Sequence, residues 1–309
     1  MLINPLKRKN RSLALAAMAL LVPGGDGVAG PAQSDIIVEP GMISTAAAEV
    51  RIAYRPDGRQ IVWGSIGRDA PSDQQDIWEI HRTPSGWSTP ARASFDTDAV
   101  EFDPAFSRDS RHLYFDSDRK GGFGGTDVYV VDVDTATGRF SGPRNVGAAV
   151  NSKGDEWAPT PTRRGSVLFS SDGWGGEGKH DVFEGFPGSG RRPSNLGPLV
   201  NGPDEDFDAA IAPDGKTLVF SSGTMSDTEA HVRLFTSRLV DGKWTVRAAL
   251  PLGCSDFLIG SAFDANRPGV LYYAASCPGG LGRMDIRTSR LPPGDRPAPA
   301  SRNPVRRQG

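Results

Sequence analysis

Asp103-Pro104-Ala105-Phe106-Ser107, a turn, Leu113-Tyr114-Phe115-Asp116-Ser117, a glycine-rich loop from Gly121 to Gly125, then Asp127-Val128-Tyr129-Val130-Val131: this stretch decides the fold. It reads as three short apolar strands with two turns between them. The runs are β-branched and aromatic, which suits strands packed on both faces. The loop glycines suit tight backbone at positive φ.

The stretch recurs. Its first strand and turn appear at Arg51-Ile52-Ala53-Tyr54-Arg55-Pro56-Asp57-Gly58, and again from Asp103 to Ser110, Ala158 to Gly165, Asp208 to Gly215 and Gly260 to Gly269. Pro-Asp-Gly in the first and fourth copies is a strong turn signal. A second strand follows each turn and is followed by Ser65, Ser117, Ser171, Ser222 and Ser276. A third strand opens with Asp76, Asp127, Asp181, His231 and Asp285. A weaker fourth strand lies near Trp87, Phe140 and Trp244, with Arg192-Pro193 as a poor match.

The fifth copy has no fourth strand of its own, but a spare one precedes the first copy. Ile36-Ile37-Val38 and Met42-Ile43-Ser44-Thr45 lead to Glu49 with the spacing by which Phe95 leads to Glu101, Val150 to Glu156, Val200 to Asp206 and Leu250 to Asp256. Four-stranded units at this repeat length predict a β-propeller. A propeller must close or its end blades expose unpaired edges. The expectation is therefore an all-β, five-bladed β-propeller of four-stranded antiparallel blades over residues 35–291, closed by the N-terminal strand. Six blades are the alternative, for which no sixth first strand is found.

The bulk composition agrees. Gly 38 and Pro 25 in 309 residues supply many turns. A formal net charge of -2 lacks the basic excess of a nucleic-acid surface. Residues 1–32 read as a signal peptide: Lys7, Arg8, Lys9 and Arg11, the apolar run Ser12 to Val22, then small residues near Ala29 and Ala32. Residues 292–309 read as a disordered Pro/Arg-rich tail. The mature chain is expected to be periplasmic or secreted, monomeric and without a membrane span. Cys254 and Cys277 are an even pair in an oxidising compartment, so a disulfide is expected, with a contribution of roughly 3 kcal/mol.

The repeats resemble the WD40-like β-propeller repeat of the TolB type. Phe106-Ser107-Arg108-Asp109 and Gly121-Gly122-Phe123-Gly124-Gly125-Thr126-Asp127-Val128-Tyr129 carry the likeness best. Asn145-Val146-Gly147 and Asn195-Leu196-Gly197 look like the family's Asn-Leu-Gly. The fourth copy departs, with His231 for Asp and no glycine-rich loop. The resemblance implies a periplasmic or secreted binding scaffold, not a reaction.

Two columns of residues carry candidate chemistry. Glu49, Glu101, Glu156, Asp206 and Asp256 each stand ahead of a first strand, where they could ring one mouth of the channel. Such a ring could bind Ca²⁺ or a basic partner group. The structural alternative is that each carboxylate accepts backbone N–H groups or pairs with a neighbour such as Arg51. Asp76, Asp127, Asp181 and Asp285, with Ser117 and Ser171, are read as structural, each Asp holding a serine hydroxyl and loop amides. Gly121–Gly125 lacks the Lys-Ser/Thr and the helix of a phosphate loop. His81, His112, His180 and His231 have no paired spacing, which argues against zinc. Trp87, Trp157, Trp174 and Phe123 lie in or beside loops and are read first as packing, second as binding aromatics.

The expected function is a non-enzymatic binding module for a protein or cell-envelope glycan. The rival is a glycan-cleaving enzyme using the channel-mouth carboxylates. Carboxylates at equivalent repeat positions disfavour it, because an acid and a base need different surroundings.

Overall fold

A computed structural model describes residues 36–69, 74–225, 230–252 and 254–291. The expected signal peptide and tail lie outside the described residues. Five antiparallel sheets form five blades. Blade one holds Ala48–Tyr54, Gln60–Ile66 and Gln75–Thr83, with its outer strand broken into Gly86–Trp87 and Ala91–Arg92. Blade two holds Glu101–Phe106, His112–Ser117, Asp127–Val133 and Phe140–Asn145. Blade three holds Glu156–Pro161, Val167–Ser171, Asp181–Gly185 and Ser194–Asn195. Blade four holds Glu205–Ile211, Thr217–Met225 and Ala230–Val240, with outer pieces Lys243–Trp244 and Ala248–Ala249.

Blade five holds Leu258–Phe263, Val270–Ala275 and Asp285–Arg290, and its outer strand is Ile36–Ile37 from the other end of the chain. Ile36 pairs with Thr288 and Ile37 with Arg287, and Val38 donates its N–H to Ile286 O at 2.9 Å. Inside the ring, Glu49 N donates to Met284 O at 3.0 Å. The first strand of each blade touches the first strands of both neighbours, so the ring is closed around these five inner strands.

Apolar residues from adjacent blades interleave to form the core. Ile52, Trp63 and Ile80 of blade one pack with Tyr272 and Ile286 of blade five. Val62 and Ile77 pack with Phe95, Phe115 and Tyr129 toward blade two. Trp63 and Phe115 are wholly buried, and side chains of this size contribute about 2–3 kcal/mol each by leaving water.

Each inner strand breaks register at the same place. The residue at the break is left-handed every time: Arg51 (φ 45), Asp103 (φ 51), Ala158 (φ 52), Asp208 (φ 52) and Gly260 (φ 66). Only Gly260 adopts this conformation without a Cβ penalty. These bulges bend each strand.

Register corrects two sequence alignments. In blade four Ser222 pairs with Arg233, so Arg233, not His231, stands at the aspartate position. In blade five Leu258 pairs with Ala275, and Ala275 with Asp285. In blade two the matching row is Glu101, Ser117 and Asp127. Blade five thus has Leu258 and Ala275 where Asp256 and Ser276 were expected. The count began from the wrong leucine: Leu250 donates its N–H to Leu234 as Val146 does to Val128, and Leu252 is the residue six before Leu258.

Candidate functional site

The two ends of the inner strands differ in chemistry. At the entering end, the recurring carboxylates are taken up inside their own blades. Glu101 accepts Thr97 N at 2.9 Å, Thr97 Oγ1 at 2.8 Å, Ser117 Oγ at 2.9 Å and Arg119 Nη2 at 2.9 Å. Glu49 accepts Thr45 N and Thr45 Oγ1, with Arg68 at 3.8 Å. Glu156 accepts Ser152 N, Ser152 Oγ and Ser171 Oγ. Asp206 accepts Gly202 N and Arg247 Nη1. All four have zero exposure. Asp256 is separate: it is 57% exposed and pairs with Arg233 at 2.9 Å. The five expected residues therefore divide into four buried turn braces and one surface acid, and the four do not present open oxygens at a channel mouth.

The cation beside each brace also recurs. Arg68, Arg119 and Arg247 each donate to the carbonyl six residues before the acid, on Ile43, Phe95 and Val200. In blade three the indole Nε1 of Trp174 takes that place, 2.8 Å from Val150 O. Among the described residues no arginine or lysine pairs with Glu156, and burial pushes its carboxyl up to about 7. Burial also raises Glu49 and Asp206.

Asp127, Asp181 and Asp285 accept the amide N–H of the residue four before them, on Phe123, Glu177 and Leu281. These bonds tie each loop to the start of the third strand. A Cβ on Gly122 would lie 1.8 Å from Asp127 Oδ2, which is why glycine stands there. The hydroxyls of Ser117 and Ser171 go instead to Glu101 and Glu156. Asp76 pairs with Arg92 at 2.7 Å. The disulfide joins Cys254 to Cys277, with Cα atoms 5.3 Å apart. Of the loop aromatics, Trp157 stacks on His180 with ring centroids 3.8 Å apart, and Phe123 is half exposed.

At the leaving end, the turns after the inner strands surround a funnel of about 340 Å³. Ile52, Tyr54, Phe106, Ile211 and Phe263 contribute its apolar wall. Arg51 belongs to its floor. From the bulge of blade one the guanidinium crosses the axis to Thr160 Oγ1 at 2.5 Å and Pro159 O at 3.5 Å in blade three, and to Ala209 O at 3.4 Å in blade four. It is 2% exposed, and its Nη1 has no hydrogen-bond partner among the described residues. Arg51 thus points away from the role of partner to Glu49.

The funnel wall carries Arg108, Arg163, Arg164 and Lys216 against two carboxylates, Glu184 and Asp214. Arg108 and Arg163 converge on one carbonyl, Pro213 O, at 3.3 and 2.5 Å. Burial first, then the neighbouring Arg163 cation, holds Arg108 below the usual guanidinium range. The carboxylates are engaged locally: Glu184 accepts Ser166 Oγ, and Asp214 accepts Lys216 N and Thr217 N. This cationic excess in a chain of net charge -2 makes the funnel suited to an anion. The sequence carries one signal of it: an arginine inside an apolar inner strand, where the other copies have Asp103, Ala158, Asp208 and Gly260.

No protein-family model matches the chain, and no curated protein matches it. Among solved structures, TolB from Acinetobacter baumannii is similar, with a TM-score of 0.52 at 15% identity over 79% of this chain. The chain spans 55% of that protein's length. A putative TolB from Agrobacterium tumefaciens gives a TM-score of 0.48 at 15% identity, covering 75% of this chain and 72% of that one. A gluconolactonase from Xanthomonas campestris gives 0.46 at 15% identity, covering 88% and 99%. The similarity to the first of these is one of fold, that of a β-propeller.

Proposed function

We propose that the chain is an exported, non-enzymatic binding module whose central funnel seats an anionic group of a protein or cell-envelope glycan. The observation that carries this reading is Arg51, a buried guanidinium at the funnel floor whose Nη1 has no partner among the described residues. A buried donor without an acceptor costs on the order of 1–3 kcal/mol, and a carboxylate, sulfate or phosphate oxygen would remove that cost. Arg108 and Arg163 add a second reason. Two cations facing one carbonyl repel each other, and an anion between them relieves the repulsion. The disulfide and the basic-then-apolar N-terminus support an exported setting.

The geometry favours binding over glycan cleavage. Cleavage needs two carboxylates about 5–10 Å apart across the bond, one of them a proton donor. Glu184 is held by Ser166 from the neighbouring strand's start and Asp214 by its own turn, and the four braces have no exposure.

Isothermal titration with inorganic phosphate and with a glucuronate oligosaccharide tests the reading. The parent protein is expected to bind at least one of the two, and Arg108→Ala with Arg163→Ala to weaken that binding at least tenfold while leaving the circular dichroism unchanged. A parent protein that binds neither at millimolar concentration, or a double variant that binds as well as the parent, rejects it.

A further inference from the structure

A second site lies away from the funnel, at the entering end of blade three. Glu156, Ser171 and Asp181 form one cross-strand row. The residues next along the chain toward that end are Asp155, Asp172 and His180, so the row brings three separate segments together at the blade's edge. Each of these three side chains brings a ligand atom to within 4.8 Å of the other two.

The imidazole is set up as a ligand. His180 is 6% exposed and lies flat against Trp157. Its Nδ1 is 3.2 Å from Glu205 Oε2 in blade four, and Glu205 is within 3.4 Å of Lys179 Nζ. With Nδ1–H donated to the carboxylate, Nε2 carries the lone pair, and Nε2 has no hydrogen-bond partner among the described residues. A carboxylate behind one ring nitrogen fixes the tautomer and the orientation of the ring, as it does for metal-bound histidines. The carboxylates are oriented by backbone: Thr126 N donates to Asp155 Oδ1 at 2.8 Å, and Asp155 N donates to Asp172 Oδ1 at 2.7 Å. A Cβ on Gly154 would lie 2.1 Å from that Asp172 oxygen, so the loop keeps the approach open.

We propose that Asp155, Asp172 and His180 bind a divalent transition-metal ion of the Zn²⁺ class, with Glu205 as the positioning residue for the imidazole. One imidazole and two carboxylates suit such an ion. Ca²⁺ takes about 6–8 oxygens and gains little from a ring nitrogen. Ligand bonds of about 2.0–2.2 Å require the three groups to draw together, and Asp172 is the exposed one of the three. Three protein ligands leave a fourth position for water or an oxygen of a bound partner. Four histidines without paired spacing gave no sign of this site, because its ligands come from three chain segments and include only one histidine.

The test uses the untagged full-length protein, cleared of metal with EDTA and desalted, in titrations with ZnCl₂ and with CaCl₂. One Zn²⁺ per chain with micromolar or tighter affinity is expected, together with a raised melting temperature. Asp172→Asn, on the surface, should weaken Zn²⁺ at least tenfold without changing the metal-free melting temperature, and His180→Gln should abolish the site. Glu205→Gln should weaken it by about 10- to 100-fold. No Zn²⁺ binding by the parent, Zn²⁺ binding undiminished in Asp172→Asn, or Ca²⁺ bound more tightly than Zn²⁺ would each overturn the assignment.

Discussion

Blade two and blade five fasten the same two segments by different chemistry. In blade two, Glu101 bridges Thr97, Ser117 and Arg119, and so ties the start of the inner strand to the end of the second strand. In blade five the same positions are Leu258 and Ala275. Four residues before Leu258 stands Cys254, and two after Ala275 stands Cys277, the places of Thr97 and Arg119. The disulfide between them replaces the carboxylate bridge. Its surroundings are apolar, with Leu250, Leu258 and Ala275 in the same cluster as the two cysteines. A carboxylate there would be buried without donors, which is costly. What recurs around the ring is therefore the tie, not the residue that makes it.

The largest effect should come from breaking the polar tie where it holds a cation. Glu101→Gln leaves the Arg119 guanidinium without its charge partner beneath the loop, and a loss of about 3–5 kcal/mol in urea unfolding is expected. Glu156→Gln is the control. Among the described residues no arginine stands beside Glu156, and burial pushes its carboxyl up to about 7, so below that pH a neutral amide should cost only about 1 kcal/mol. Equal losses from the two substitutions would mean that the cation does not distinguish the blades.

Removing the covalent tie comes next. Cys254→Ala with Cys277→Ala opens a loop of sequence separation 23, for which a loss of about 3 kcal/mol is expected. Dithiothreitol on the parent protein should reproduce it. A double variant as stable as the parent would show that Leu258 and Ala275 hold the inner strand of blade five by packing alone.

The comparison also marks what could be read from the chain. The blades, their number and the closure by Ile36–Ile37 follow from local signals: apolar runs, turn dipeptides and a spare fourth strand. The disulfide pair followed from an even number of cysteines and the compartment expected for the chain. The position of the fifth tie did not, because loop length between blades varies and a fixed count from Leu250 landed on Asp256 instead of Leu258. Arg51 was legible only as an odd residue in an apolar strand, since the groups it reaches on Thr160 and Ala209 are distant in sequence. His180 was hidden for the same reason.

The smallest effect should come from Asp256, the residue that repeat spacing places in the column of buried acids. If it were a brace, Asp256→Ala would leave buried donors unpaired and cost as much as breaking the tie in blade two. Its actual surroundings differ. Both it and Arg233 are more than half exposed, and exposed pairs contribute about 0–1 kcal/mol because water and salt screen them. Its backbone carbonyl, which accepts Val232 N at 2.7 Å, is untouched by the substitution. The expected change in unfolding free energy is therefore within about 0.5 kcal/mol, and it should shrink further as salt is raised. A loss of several kcal/mol, insensitive to salt, would place Asp256 among the braces after all and return blade five to the pattern of blade two.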